Sequence, residues 1–247
     1  MRKRTIHQLE VRQRDSVTPH LARVVLGGAD LERFPTGFEG GYVKLVFPRA
    51  VGRPLLRSYT VRRFDAAARE LELWMVVHED GGPAARWLAE ASPGSPVSVT
   101  DPGPVRRPSA DADWFLLAGD LSALPALAVM LGDLPDDAQG HLVLEGVDPA
   151  DHLDLSGPSG MEISWVDNPH PHAPSTTLAD SVKAIPWRAG RASVWVAGEF
   201  GASRSLRQYF RHERAVDRTD LYVSCYWKIG ETDEGMKQAK RNDSEAW

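Results

Sequence analysis

The sequence of 247 residues is poor in cysteine, and this scarcity limits the chemistry that the chain can perform. One cysteine, Cys225, excludes an internal disulfide framework, a cysteine-rich zinc site and a protein-ligated iron–sulfur cluster, because each of these needs several thiolates. Any redox reaction therefore requires a bound cofactor. Cys225 itself is expected to be a small hydrophobic residue in a buried strand.

Other signals are also absent. No stretch approaches the roughly 18 apolar residues of a membrane span, and the basic N-terminal run is not followed by the apolar segment of a signal peptide. We therefore expect a soluble cytoplasmic protein with no membrane partner. The eight histidines show no metal-ligand spacing, so no metal site is expected. A Gly-x-Ser-x-Gly nucleophile elbow is missing, which leaves a serine hydrolase unsupported.

Charge is distributed unevenly along the chain. Residues 1–108 carry 17 Lys and Arg against 12 Asp and Glu, whereas residues 109–247 carry 12 against 22. The two parts therefore have net charges of +5 and −10. A basic first half suits a small anionic ligand, and the acidic second half argues against a nucleic-acid partner, which requires a broad basic face.

The first hundred residues predict a small closed barrel of six strands, because β-branched, aromatic and alternating residues recur between Gly, Pro and Asp. The strands are expected near His7–Arg14, Leu21–Leu26, Tyr42–Phe47, Arg57–Phe64, Leu71–Val77 and Val97–Thr100. One helix interrupts them and begins at Pro83, a residue favoured at the first helical position.

A proline-rich linker at 101–111 separates this part from a second pattern, in which buried-type strands alternate with helices. The strands are expected at Trp114–Ala118, His141–Glu145, Glu162–Val166, Ser193–Ala197 and Leu221–Cys225, and the helices at Ser122–Leu131 and Ala202–Glu213. This alternation indicates a parallel sheet that binds nucleotides at the carboxyl ends of its strands. Residues 167–175 are expected to form a loop, and the polar tail from Glu231 is consistent with either a short helix or disorder.

Two segments of the first half suit a flavin. Arg57-Ser58-Tyr59-Thr60 places a cation, an aromatic ring and hydroxyl groups on one strand, although an ordinary edge strand can carry the same residues. The turn that ends in Gly82 opens the helix at Pro83, and glycines before a helix let backbone N–H groups approach a phosphate. Only one strand separates the two segments, so a hairpin can bring both to one pyrophosphate.

Two segments of the second half follow strands at the expected ligand-binding edge. The first is Gly119-Asp120-Leu-Ser122, which is not a Gly-x-Gly-x-x-Gly fingerprint but offers Ser122 as a helix N-cap. The second ends in Glu199, which is either a helix-capping carboxylate or a group that faces a nicotinamide. A basic helix with Arg204, Arg207 and Arg211 follows it.

Taken in order, the segments resemble the siderophore-interacting proteins, the FAD-dependent ferric-siderophore reductases. The matching segments are Arg57-Ser-Tyr-Thr, His78-x-x-x-Gly82-Pro83-Ala84 with Trp87, Gly119-Asp-x-Ser-Ala-Leu-Pro-Ala126, Trp195-Val-Ala-Gly-Glu199 and Tyr226-Trp227-Lys228-x-Gly230. The resemblance covers nearly the whole chain. It implies a ferredoxin-reductase-like architecture, with an FAD-binding barrel over residues 1–105 and a nucleotide-binding α/β domain with a parallel sheet over 110–247.

The resemblance also implies roles for individual residues. Arg57 would bind the pyrophosphate of FAD, Tyr59 would contact the isoalloxazine ring, and Thr60 would lie near flavin N5, with Ser58 between them. The other implied contacts are Arg62 with the flavin, His78, Gly82, Pro83 and Ala84 with the phosphates, and Asp120, Ser122 and Glu199 with a nicotinamide dinucleotide. Glu79, Leu121 and Cys225 depart from the residues usual in the family, which have Gly, Glu and Gly there.

The implied reaction passes electrons from NADPH or NADH through FAD to the Fe(III) of a siderophore, and releases Fe(II) in the cytoplasm. Because many ferric siderophores are anionic, Lys44 and Lys228 are candidate substrate-binding residues. Three alternatives remain: a reductase partnered by a ferredoxin, a general flavin reductase, and a flavin-free siderophore carrier. The electron donor is open between NADPH, NADH and a ferredoxin.

Overall fold

The computed structural model describes residues 5–78 and 82–243. The chain forms two compact units, one that ends at Arg106 and one that begins at Arg107. Each unit has its own sheet. Within the described ranges, no helix is both long and apolar enough to cross a membrane.

Six antiparallel strands close into a barrel in the first unit, as the sequence predicts. They are β1 (Ile6–Thr18), β2 (Leu21–Gly27), β3 (Tyr42–Phe47), β4 (Leu55–Asp65), β5 (Glu70–Val76) and β6 (Pro96–Thr100). Around the barrel they follow the order β1-β2-β5-β4-β3-β6. Strand β1 runs four residues beyond the predicted end at Arg14, because its polar, exposed second half stays paired with β2 up to the tight turn at Thr18.

Alternation along the strands fills the barrel with apolar side chains. Val43 and Leu45 of β3, Leu73 of β5 and Val99 of β6 are completely buried in this core. Helix α1 (Pro83–Glu90) adds Ala84 and Leu88 to the same core. It has Gly82 as its N-cap and Pro83 at its first position, as the sequence predicts.

In the second unit, the described residues form five parallel strands and four α-helices. The strands are β7 (Trp114–Asp120), β8 (Gln139–Gly146), β9 (Gly160–Asp167), β10 (Ala192–Glu199) and β11 (Leu221–Trp227). The helices are α2 (Leu124–Gly132), α3 (Thr177–Ala184), α4 (Phe200–Gln208) and α5 (Asp233–Asn242). Every residue of β7 is buried, which is typical of a central strand in a sheet covered on both faces.

The order of the strands, β11-β10-β7-β8-β9, turns at β7, because the chain continues to β8 on one side and returns to β10 on the other. Ligands of such sheets bind at the carboxyl ends of the strands near this point. There the last residue of β7 is Asp120, and the last residue of β10 is Glu199. The fold thus places both at the expected ligand edge of the sheet.

Three helical details differ from the prediction or extend it. Helix α3 is not predicted, because it has only eight residues and follows a proline-rich loop. At its start, Ser175 Oγ accepts a hydrogen bond from the backbone N–H of Thr177. The predicted helix at 202–213 begins earlier, and its second part is a π-helical turn, Tyr209–Glu213. The tail contains helix α5, and the last residues, 244–247, lie outside the described ranges.

Candidate functional site

The flavin motif occupies the middle of β4, where alternation puts Arg57 and Tyr59 on one face and Ser58 and Thr60 on the other. Tyr59 is partly buried and packs against the barrel core. Burial raises the pKa of Tyr59, so its hydroxyl group stays protonated at neutral pH. Thr60 is almost completely buried, with 6% of its surface exposed.

Arg57 reaches the beginning of helix α1. A Cβ atom built on Gly82 would lie 3.9 Å from Nη2 of Arg57, while Nη1 donates a hydrogen bond of 3.0 Å to the carbonyl oxygen of Leu56. A cation and a helix N-terminus both favour a negative charge placed between them. The structure therefore brings together Arg57 and Gly82, which the sequence assigns to one pyrophosphate.

Arg62 and Trp87 carry buried hydrogen-bond donors near this part of the barrel. The Nε–H group of Arg62 and the Nε1–H group of Trp87 have no acceptor among the described residues. Arg62 stacks over the ring of Trp74 at 4.8 Å, at a bulge in the pairing of β4 with β5, and burial lowers its pKa. Buried donors normally have partners, so these two groups fit a bound molecule that offers acceptor oxygens or nitrogens.

Lys44 lies directly opposite Ser58 in the β3–β4 ladder, and its Nζ atom donates to Ser58 Oγ at 3.3 Å. The next pair on this face is Tyr42 and Thr60, and Lys44 Nζ lies 5.6 Å from the centre of the Tyr42 ring. The predicted substrate cation thus shares one face of two paired strands with Ser58 and Thr60, two residues of the flavin motif. His78 is exposed at the end of a described range, and Glu79 lies outside the described residues.

Asp120 joins three strand ends in the second unit. Its Oδ1 atom accepts from the backbone N–H and the hydroxyl group of Ser122, and its Oδ2 atom accepts from Glu199 N at 2.9 Å and from Trp227 Nε1 at 2.8 Å. These four donors use all of the roughly four acceptor positions of a carboxylate. Burial raises the pKa of Asp120, although the hydrogen bonds oppose this shift.

These bonds decide two predictions about helix caps. Ser122 does not cap α2, whose N-cap is Ala123, because its hydroxyl group is held by Asp120. Glu199 does cap α4: its carboxylate accepts from the N–H groups of Gly201 and Ala202, and also from that of Ile229. Contacts of Asp120, Ser122 and Glu199 with a nicotinamide dinucleotide stay a prediction.

Glu145 is a third carboxylate at this edge, which the sequence did not single out. It lies near the carboxyl end of β8 and accepts from Asn168 Nδ2 at 3.1 Å and from Leu178 N at 3.2 Å. Burial raises its pKa, and the nearby charges of Asp120 and Glu199 raise it further. The signal available in the sequence was an acidic residue at the end of the apolar strand.

Lys228 and Cys225 lie close to each other in sequence but have different surroundings. Lys228 Nζ is 5.4 Å from the centre of the Phe200 ring and 3.7 Å from a carboxylate oxygen of Glu231. Cys225 is buried, and its thiol donates to the carbonyl oxygen of Trp227. Burial raises the pKa of Cys225 to about 12, so the thiol is protonated, as expected of a small hydrophobic residue.

A six-stranded barrel followed by a five-stranded parallel sheet defines the ferredoxin-reductase-like class. The ferredoxin reductase of carbazole 1,9a-dioxygenase has this fold: it superposes with a TM-score of 0.68 at 16% identity, over 91% of this chain and 68% of that chain. Within the class, residues 112–230 match the family model for siderophore-interacting proteins. Residues 10–53 and 50–106 match the siderophore-interacting FAD-binding domain.

Individual relatives agree with these matches. An uncharacterised protein of Mycobacterium tuberculosis is 37% identical over 98% of this chain and 97% of its own length. Ferric vibriobactin reductase ViuB of Vibrio cholerae is 33% identical over 91% of this chain and 90% of its own. The crystal structure of SipS from Aeromonas hydrophila superposes with a TM-score of 0.86 at 32% identity, over 98% of this chain and 99% of that one. The chain belongs to the siderophore-interacting protein family.

Proposed function

We propose that this chain is an FAD-dependent ferric-siderophore reductase that takes electrons from NADPH or NADH. The observation that carries the proposal is the approach of Arg57 to the N-terminus of α1, on the strand that also presents Tyr59 and Thr60. The match to a siderophore-interacting FAD-binding domain and the likeness to ferric vibriobactin reductase support it.

The barrel residues fit FAD. Arg57 and the turn at Gly82 would hold the pyrophosphate through charge and backbone N–H groups. Tyr59 would lie against the isoalloxazine ring, and the hydroxyl group of Thr60 would bond near N5. Arg62 would use its buried Nε–H group toward an acceptor of the cofactor. His78, Pro83 and Ala84 would complete the phosphate side of the site.

When bound, FAD would accept two electrons as a hydride and pass them on to iron one at a time. Siderophores bind Fe(III) through hard oxygen donors much more tightly than Fe(II), so reduction is a route to release. Lys44 would attract the anionic ferric siderophore to the face of β4 that carries Ser58 and Thr60. Lys228 is the second proposed substrate cation. We further propose that the reaction occurs in the cytoplasm, where NADPH and NADH are available.

The electron donor is tested by mixing the purified flavoprotein anaerobically with NADPH, NADH or a reduced ferredoxin and following the visible flavin bands. Bleaching by NADPH or NADH, followed by reoxidation on addition of a ferric siderophore, is the expected result. Bleaching by reduced ferredoxin alone would replace the proposed donor. A colourless protein that cannot be reconstituted with FAD would overturn the proposed reductase and leave a siderophore carrier.

The proposed substrate cations are tested separately from the flavin. The double variant Lys44→Ala with Lys228→Ala is expected to raise KM for the ferric siderophore and to leave the rate of flavin reduction by the donor unchanged. An unchanged KM would remove both residues from the substrate site.

A further inference from the structure

A basic cavity of about 190 Å³ lies beside strand β11, at the edge of the parallel sheet. We call it the arginine cavity. Its lining residues come from α4, the π-helical turn, the following loop and β11, and they are Arg207, Arg211, Arg218, Leu221, Tyr222 and Val223. The liquid-water share of one molecule is about 30 Å³, so the cavity has room for a ligand several times larger.

The arginine cavity concentrates positive charge in an acidic part of the protein. Residues 109–247 have a net charge of −10, yet five of their 12 Lys and Arg fall between positions 204 and 218. Two of the five are engaged elsewhere: Arg204 pairs with Asp243 at 3.0 Å, and Arg214 bonds the Tyr209 hydroxyl group at 2.7 Å. The other three line the cavity.

The guanidinium groups of Arg207 and Arg211 repel each other. No hydrogen bond or ion pair joins Arg211 or Arg218 to a carboxylate anywhere in residues 5–78 and 82–243. Arg207 donates to the carbonyl oxygen of Val223, and burial together with the charge of Arg211 lowers the pKa of Arg207 to about 10. An anion in the cavity would offset both the repulsion and the loss of hydration.

Helical backbone positions two of the three arginines. Arg207 lies in the last turn of α4, and Arg211 lies in the π-helical turn, where Arg214 N donates to Tyr209 O at 3.1 Å. π-Helical turns of this kind are frequent at functional sites. Guanidinium groups form paired hydrogen bonds with oxyanions, and a phosphate group offers three terminal oxygens and up to two charges. Three arginines therefore match a phosphate better than a carboxylate.

We propose that the arginine cavity binds a phosphate group, either inorganic phosphate or the phosphate of a small monoester. The site is separate from the residues assigned to the reductase, so the two proposals stand or fall independently. The cavity volume admits a phosphate that carries a small substituent, and Leu221 and Tyr222 would contact that substituent.

Isothermal titration calorimetry at low ionic strength, with inorganic phosphate, ribose 5-phosphate and acetate as probes, tests the proposal. We expect both phosphate probes to bind more tightly than acetate. Tighter binding of the ester would identify a phosphorylated small molecule as the ligand, whereas equal binding would identify phosphate itself. No heat from either phosphate probe at millimolar concentration would overturn the proposal.

Substitutions identify the site. Arg211→Gln and Arg218→Gln should each weaken phosphate binding roughly tenfold or more, because each removes a charge-assisted hydrogen bond. Arg211→Lys, which keeps the charge, should restore part of the loss. Arg188→Gln, at the opposite edge of the sheet near β9, should leave the affinity unchanged. Wild-type affinity in Arg211→Gln and Arg218→Gln, or an equal loss in Arg188→Gln, would refute the assignment.

Discussion

Replacing Arg57 by alanine should weaken the binding of FAD and leave riboflavin binding unchanged. The guanidinium group lies beside Gly82 at the start of α1, where it would bond to a pyrophosphate that riboflavin lacks. A hydrogen bond to a charged group contributes about 1.5–3 kcal/mol, so Kd for FAD should rise roughly 10- to 150-fold. Titrating the apoprotein with each flavin, and following flavin fluorescence, gives both constants.

Arg63 provides the matched control for this measurement. It lies on the same strand, is exposed, and pairs with Asp65 at 2.9 Å, so Arg63→Ala should leave both constants unchanged. Thermal unfolding of the three proteins shows whether either substitution disturbs the barrel. If the ratio of the FAD and riboflavin constants is the same in Arg57→Ala as in wild type, Arg57 does not bind the pyrophosphate. An equal loss of FAD affinity in Arg63→Ala would show that the overall positive charge of the barrel binds FAD, and it would contradict a specific contact between Arg57 and the pyrophosphate.

Three further predictions concern the second unit. Cys225 should resist alkylation at pH 8 in the native protein and react fully in denaturant, because burial raises its pKa to about 12; mass spectrometry that shows rapid native labelling would contradict this. Asp220→Asn should lower the free energy of unfolding at pH 7 by about 1 kcal/mol. Asp220 accepts two hydrogen bonds of 2.7 Å from Arg191, and solvent around the exposed arginine screens the pair. Arg191 lowers the pKa of the Asp220 carboxyl group. The contribution of Asp220 to stability is therefore fully present above its unfolded pKa of about 3.9, and it is lost as the pH falls through the lower pKa of the folded protein. If urea unfolding shows the same stability difference between Asp220→Asn and wild type at all pH values, the pairing is refuted. Glu199→Ala should cost about 1 kcal/mol in urea unfolding through loss of the α4 cap, with Glu199→Gln closer to wild type; no loss would show that the cap is dispensable.

Local sequence predicted the fold because the buried side chains of each element recur with a spacing that is visible along the chain. The alternation in β3, the continuous apolar run of β7 and the Gly82-Pro83 start of α1 each identify one kind of element. Helix α3 was not predicted from the sequence, because its eight residues follow prolines and include few apolar positions. The end of β1 was predicted too early, because its last residues are polar and show no alternation; they stay in the strand because they pair with β2.

The candidate site was predicted only in part, because its contacts join residues far apart in the chain. Spacing across one strand predicted that Arg57 and Gly82 approach each other, and the structure has them close. The sequence offered two roles for Glu199, a helix cap or a group that faces a nicotinamide. The hydrogen bonds of α4 confirm the cap, and the nicotinamide contact stays a prediction. Ser122 was misassigned as a cap, since only the folded chain brings Asp120 close enough to hold its hydroxyl group.

By itself, the sequence determined the scarcity of thiolates, the charge difference between the two halves, the order of barrel and sheet, and the motifs of the siderophore-interacting family. These follow from composition and from short-range pattern. Only the tertiary structure decided that Asp120 joins three strand ends and that three arginines of the acidic half line one cavity. Such groupings depend on which strands become neighbours and which side chains lose water, and both are properties of the folded chain as a whole.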